Sequence, residues 1–224
     1  MDDEQRISAI ETQEKRANRR SIFINGKFAL GVDETVVADL GLRVGQRIGE
    51  DELREVVHAE LVTKARERAL KLLDYRARSR AEIERRLTGA GFEEDVIEET
   101  LNRLEAVGLI DDAHFSVAWV NHRIAGSGMG RTRIRWELRQ KGVPTEIAEE
   151  ALSAIDEETE HQSALDKARR RWEKDADLDE RTKRRRLASY LQRQGYDWGV
   201  ITTILNEIRS KEDRVQERDT YQES

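Results

Sequence analysis

A chain of 224 residues with 37% hydrophobic content has room for several small cores rather than one thick one. Charged residues make up 38% and proline occurs once, at Pro144, a balance that favours long helices with solvated faces over a strand-rich sandwich. The absence of cysteine excludes disulfides and thiolate zinc sites, no secretory apolar core opens the chain, and no stretch approaches the roughly 20 apolar residues of a bilayer span, so a cytoplasmic protein without membrane contact is expected. A net charge of −6 argues against a dedicated nucleic-acid binder, although charge runs in blocks: residues 120–142 hold six Lys/Arg against one acid, and residues 143–163 hold seven acids and no Lys or Arg.

In chain order, residues 1–20 are polar without sustained periodicity and are expected to be a flexible arm, as are residues 211–224 at the other end. Two short apolar runs flank Asn25-Gly26, a pair that tolerates positive φ, and predict a hairpin. A short helix follows from Asp33 towards Gly41, with a little extended structure at 44–48, so residues 21–63 form a small α/β cap and a linking helix. From Asp51 the apolar spacing turns helical.

An internal repeat dominates the rest. Superposing Gly91, Gly142 and Gly195, at periods of 51 and 53, aligns Ile83/Ile134/Leu187, Leu87/Leu138/Leu191, Val96/Ile147/Val200 and Leu101/Leu152/Leu205. Apolar residues four apart stack on one helical face, and a glycine just past the last turn takes the left-handed cap, so each glycine ends a middle helix set between a leader and a closer. The prediction is a mainly α fold: three tandem three-helix repeats over 64–115, 116–160 and 161–210, elongated and modular, preceded by the N-terminal β-hairpin and helix. Gly126-Ser-Gly-Met-Gly130 lacks the ending of a phosphate loop and is expected to be a bend between helices.

Tyr75-Arg-Ala-Arg-Ser-Arg-Ala-Glu-Ile-Glu-Arg-Arg-Leu87, Gly91-Phe92, Gly108-Leu-Ile-Asp-Asp-Ala-His-Phe115 and the basic stretch Gly130-Arg-Thr-Arg-Ile-Arg-Trp-Glu-Leu-Arg-Gln-Lys-Gly142 together resemble the RecX family. The likeness covers about 21–209 and is most specific over 69–152; Met129 before Gly130-Arg131, where a proline often follows the glycine, and a diverged third repeat are its departures. The resemblance implies a non-catalytic regulator, without cofactor, that binds RecA as monomer and as nucleoprotein filament. In the filament groove on single-stranded DNA it would limit extension, strand exchange, ATP hydrolysis and coprotease activity in DNA repair, homologous recombination and the SOS response. A monomer is expected.

Eleven residues before each repeat glycine stands a base: Arg80, Arg131 and Arg184. Arg131, Arg135 and Arg139 form a row beside the Ile134/Leu138 stripe, with Arg133 and Lys141 in the same basic stretch, and Lys183, Arg184, Arg185 and Arg186 form a denser run. These ten residues are the candidate contacts with acidic RecA surface or phosphates, the plain alternative being a solvated helix face paired with nearby acids. Trp119, Trp136, Trp172 and Trp198 read as core rather than as a base-stacking platform. Asp111, Asp112 and His114 lack a second histidine at ligand spacing, so no metal site is expected and Asp112 is assigned to cap a helix. No residues assemble a catalytic centre. The rival to a RecA regulator is a direct DNA-binding helical-repeat protein, which would show steep salt dependence on single-stranded or duplex DNA without RecA.

Overall fold

The computed structural model describes residues 5–222 apart from Lys15, with side chains to Ser210. Two compact units divide it: the first runs to Ile110 apart from Ser79–Ala81, which belongs with the second.

The first unit opens with three antiparallel strands in sequential order, β1 (Ile7–Gln13), β2 (Arg16–Ile24) and β3 (Lys27–Asp33). Asn25 at φ 48° and Gly26 at φ 80° make the tight β2–β3 turn that this pair favours. The sheet extends further back than the sequence suggested, so the flexible arm assigned to residues 1–20 is corrected: residues 7–13 and 16–20 are strand. Their polar composition misleads because only one sheet face is covered, leaving Ile7 and Ile22 to supply the fully buried positions while the ladder supplies the hydrogen bonds. Residues 44–48 add only a single bridge, Arg6 to Arg47.

Asp33 ends β3 and caps α1 (Glu34–Asp39) by accepting the Thr35 amide. The 26-residue α2 (Glu50–Tyr75) starts where Glu52 accepts the Gly49 N–H, with Glu50 and Asp51 adding negative charge at its positive end. Val56 packs with the sheet, whereas Val62, Ala65 and Ala69 pack with α3 (Arg80–Thr88) and α4 (Glu94–Ala106) around Ile83, Leu87 and Leu101. One uninterrupted helix thus serves two cores, and the boundary expected at 63/64 falls inside it.

The second unit contains α5 (Asp112–Ser127), α6 (Arg131–Gln140) and α7 (Thr145–Ser153), then α8 (Glu157–Lys174), α9 (Glu180–Gln194) and α10 (Trp198–Gln222). Ile134, Leu138 and Leu152 centre one core; Leu187, Leu191, Ile201 and Ile204 centre the next. The three helical repeats are therefore present. Gly91, Gly142 and Gly195 all take positive φ, at 86°, 78° and 89°, as the shared register required. The repeats join at 107–111 and 154–156, so the boundaries expected at 115 and 160 lie inside α5 and α8. The flexible tail assigned to 211–224 is also corrected, because α10 continues to Gln222; no glycine or proline follows Gly199 to stop it.

Candidate partner-binding surface

The basic row of α6 separates into residues that hold the fold and residues that face outward. Ile134 and Leu138 are fully buried, which turns Arg133, Arg135, Trp136 and Arg139 to solvent. Arg131, at the first position of the helix, is committed inside the chain. Its Nε donates to Glu160 Oε2 at 2.6 Å, its Nη2 to the Ile155 carbonyl at 2.7 Å, and its amide to Glu160 Oε1 at 3.1 Å. Glu160 is only 7% exposed, so this is a desolvated ion pair satisfied from several sides. The same joint brings backbone to backbone: Gly130 N–H donates to the Gln194 carbonyl and Thr132 N–H to the Gly195 carbonyl. A Cβ on Gly130 would lie 2.3 Å from the Gly195 oxygen, so only glycine permits the approach. Tyr196 donates its hydroxyl to the Gly128 carbonyl at 2.7 Å, and burial pushes its pKa up to about 12. Lys167 reaches Gln194 Oε1 at 3.1 Å, and burial lowers its pKa.

This joint has counterparts. The Arg80 amide donates to Asp112 Oδ1 at 2.8 Å, and the Asp33 amide donates to Glu60 Oε2 at 2.7 Å while Arg19 pairs with Glu60 at 2.8 Å. Asp112 at the first position of α5, Glu160 in the first turn of α8 and Glu60 well inside α2 therefore each use a carboxylate to receive an amide from an earlier segment. The sequence reading missed this set. Its only signal was an acid four residues from a buried position: Glu60 after Val56, Asp112 before Ser116, Glu160 before Ala164. Asp112 is thereby drawn away from capping its own helix, the task expected of it; Asp111 caps α5 by accepting the His114 amide at 2.8 Å.

The remaining α6 cations are outward. Arg135 makes a two-point pair with Glu149, with Nη2 to Oε2 at 2.9 Å, and that bond holds the guanidinium above and the carboxyl below their usual pKa ranges. Arg133 lies over the Trp136 ring at 4.6 Å from its centroid, and Trp136 is 49% exposed. Arg139 is exposed and has no side-chain partner among the described residues. Lys141 sits 4.0 Å from the Trp119 ring and Arg123 4.4 Å from it; Trp119 also donates to Glu137 and packs on the repeat core, as expected, whereas Trp136 and Trp198 are exposed rather than core.

In the third repeat, Lys183 covers Trp172 at 4.8 Å, and Arg186 faces Asp175 together with Arg171. Arg184 and Arg185 have no side-chain partner among the described residues. The three aligned arginines are not equivalent: Arg80 and Arg131 begin their helices, whereas α9 starts one turn earlier, at Glu180, with Asp179 as its cap. Among the described residues no group of three or more His, Asp or Glu is placed to hold a metal, and no helix is long and apolar enough to cross a membrane.

Sequence profiles agree with this architecture. The Regulatory protein RecX N-terminal domain matches residues 5–49, and the first, second and third three-helix domains of RecX match 65–104, 111–152 and 158–205. The chain is 30% identical to Regulatory protein RecX of Bacillus subtilis over 95% of its own length and 81% of that protein's. It is 38% identical to the Amycolatopsis mediterranei protein of the same name over 68% and 87%. A crystal structure of regulatory protein RecX superposes with a TM-score of 0.79 at 28% identity, covering 90% of this chain and 99% of that one, and RecX from Lactobacillus salivarius with 0.64 at 27%, covering 67% and 98%.

Proposed function

This chain belongs to the RecX family of regulatory proteins, and on that premise we propose that it binds RecA, as monomer and in the groove of the filament on single-stranded DNA, and restrains it without chemistry of its own. The observation that carries the reading is the set of basic side chains turned to solvent on α6 and α9. Arg139, Arg184 and Arg185 have no side-chain partner among the described residues and are the groups free to exchange water for carboxylates of a protein groove or for phosphates. Arg133 and Arg135 flank the buried Ile134 on either side of α6, Arg133 held by Glu137 and the Trp136 ring and Arg135 by Glu149. Arg80 and Arg131 act beneath that surface, through the joints between helices. Lys141, Lys183 and Arg186 flank it, two of them against tryptophan rings and one against Asp175.

The test is RecA-catalysed ATP hydrolysis on single-stranded DNA during titration with this protein. Inhibition below one equivalent, weakened in the folded triple variant Arg139→Ala/Arg184→Ala/Arg185→Ala, is the expected result. No effect of the parent chain on RecA would refute the reading. The exposed Trp136 beneath Arg133 favours one other function, direct DNA binding independent of RecA, because an aromatic face beside a guanidinium stacks on bases. Saturable binding to an oligonucleotide without RecA, with a steep salt slope and loss in Trp136→Ala, would select it.

A further inference from the structure

The first unit carries a second, chemically different surface. Leu53, Val57 and Leu61 recur every four residues on α2, and with Val96 of α4 they floor a cleft of about 410 Å³. Leu53 leans on the sheet-side core and Leu61 on the helical one, so Val57 lies between the two cores and belongs to neither. It is 43% exposed. The rim is acidic. Glu50, Glu93 and Asp95 line it; its basic side chains, Arg54 and His58, are already engaged, Arg54 by Glu50 and Asp51, and His58 by Glu99 at 2.7 Å and Asp95 at 3.4 Å. Asp95 also borders a second depression of about 470 Å³ along α4, with Glu98, Glu99, Asn102 and Arg103, whose guanidinium is paired with Glu99.

We propose that this α2/α4 groove docks a basic amphipathic helix of a protein partner. Its apolar side chains would enter between Val57 and Val96, and a Lys or Arg one turn further on would reach Asp95 and its neighbouring carboxylates. An apolar floor admits a helix only through its apolar face, and a rim with this sign of charge favours cationic flanks and rejects anionic ones. The inference goes beyond the RecA reading, which rests on α6 and α9.

The probe is a fluorescein-labelled peptide of about 15 residues with leucines at helical spacing and lysines elsewhere, titrated with the full chain beside a counterpart carrying glutamates for lysines. Saturable anisotropy with the lysine peptide alone is expected. Val57→Glu should weaken it at least about tenfold, while Val107→Glu, at an exposed valine that does not line the groove, should leave it unchanged. Glu93→Lys/Asp95→Lys should transfer binding to the glutamate peptide. Binding that survives Val57→Glu, or that falls equally in Val107→Glu, overturns the proposal. Self-association of the chain that Val57→Glu abolishes would overturn it in favour of a second copy as occupant. No readout contains RecA, so failure here is distinct from failure of the function proposed above.

Discussion

Replacing Glu160 should unlock the joint at the start of α6, and the size of the effect follows from what its carboxylate holds. Glu160→Ala removes the acceptor of the Arg131 amide and the counter-charge of the Arg131 guanidinium. Breaking a fully buried ion pair by deleting one partner costs about 3–5 kcal/mol. The Arg131 side chain keeps 27% exposure and its bond to the Ile155 carbonyl, so water screens part of the orphaned charge and the expected loss is about 2–3 kcal/mol. Glu160→Gln keeps a neutral acceptor and should lose about half as much. All four tryptophans, at 119, 136, 172 and 198, lie in the second unit, so urea unfolding followed by tryptophan emission reports on that unit alone. Arg139→Ala, at an exposed position on the same helix, is the reference and should change stability by less than about 0.5 kcal/mol. If Glu160→Ala costs no more than Arg139→Ala, the carboxylate does not hold the joint, and the division of the basic row into structural and outward residues is wrong.

Gly195→Ala should destabilise the second unit by more than about 2 kcal/mol, because its Cβ would lie 2.2 Å from Arg133 Cβ at a φ of 89°; Gly91→Ala, at φ 86° with open space, should lose only about 1 kcal/mol to backbone strain, as read by circular dichroism melts. Tyr196→Phe should cost about 1 kcal/mol through the lost bond to Gly128. The raised Tyr196 pKa favours the neutral phenol in the fold, so its contribution is complete below pH 10 and is lost as pH rises towards about 12; alkaline unfolding of the parent should show this decline, and Tyr196→Phe should lack that part of it. Glu149→Gln should release Arg135 yet change urea stability by no more than about 0.5 kcal/mol, since both side chains are nearly half exposed.

The helical repeats were legible because one requirement, an apolar face closed by a left-handed turn, recurs with the same spacing three times. Ile83, Ile134 and Leu187 are buried for the same reason at each site, and the glycines sit where the chain must reverse. The first strand and the first half of the second were not legible. Residues 16–20, Arg-Ala-Asn-Arg-Arg, carry no apolar alternation because the sheet buries one face and much of that burial falls on β3 and on the far end of β2. Carboxylates such as Glu60 and Glu160 were equally opaque, since their partners are backbone amides dozens of residues away, and an amide leaves no mark in the residue pattern.

The same limit explains the basic surface. A periodic sequence fixes which residue faces the core, but not at which residue a helix begins, and the first amides of a helix are the ones left unbonded. Arg80 and Arg131 stand at helix starts, so their amides are available to a carboxylate of the next leader, and the Arg131 side chain follows its amide to that carboxylate. In α9 the Asp179 cap moves the start one turn earlier, and the Lys183 amide already bonds the Asp179 carbonyl. Arg184 thus keeps the sequence position of Arg131 without its partner, and its charge remains available on the surface for a carboxylate or phosphate from another molecule.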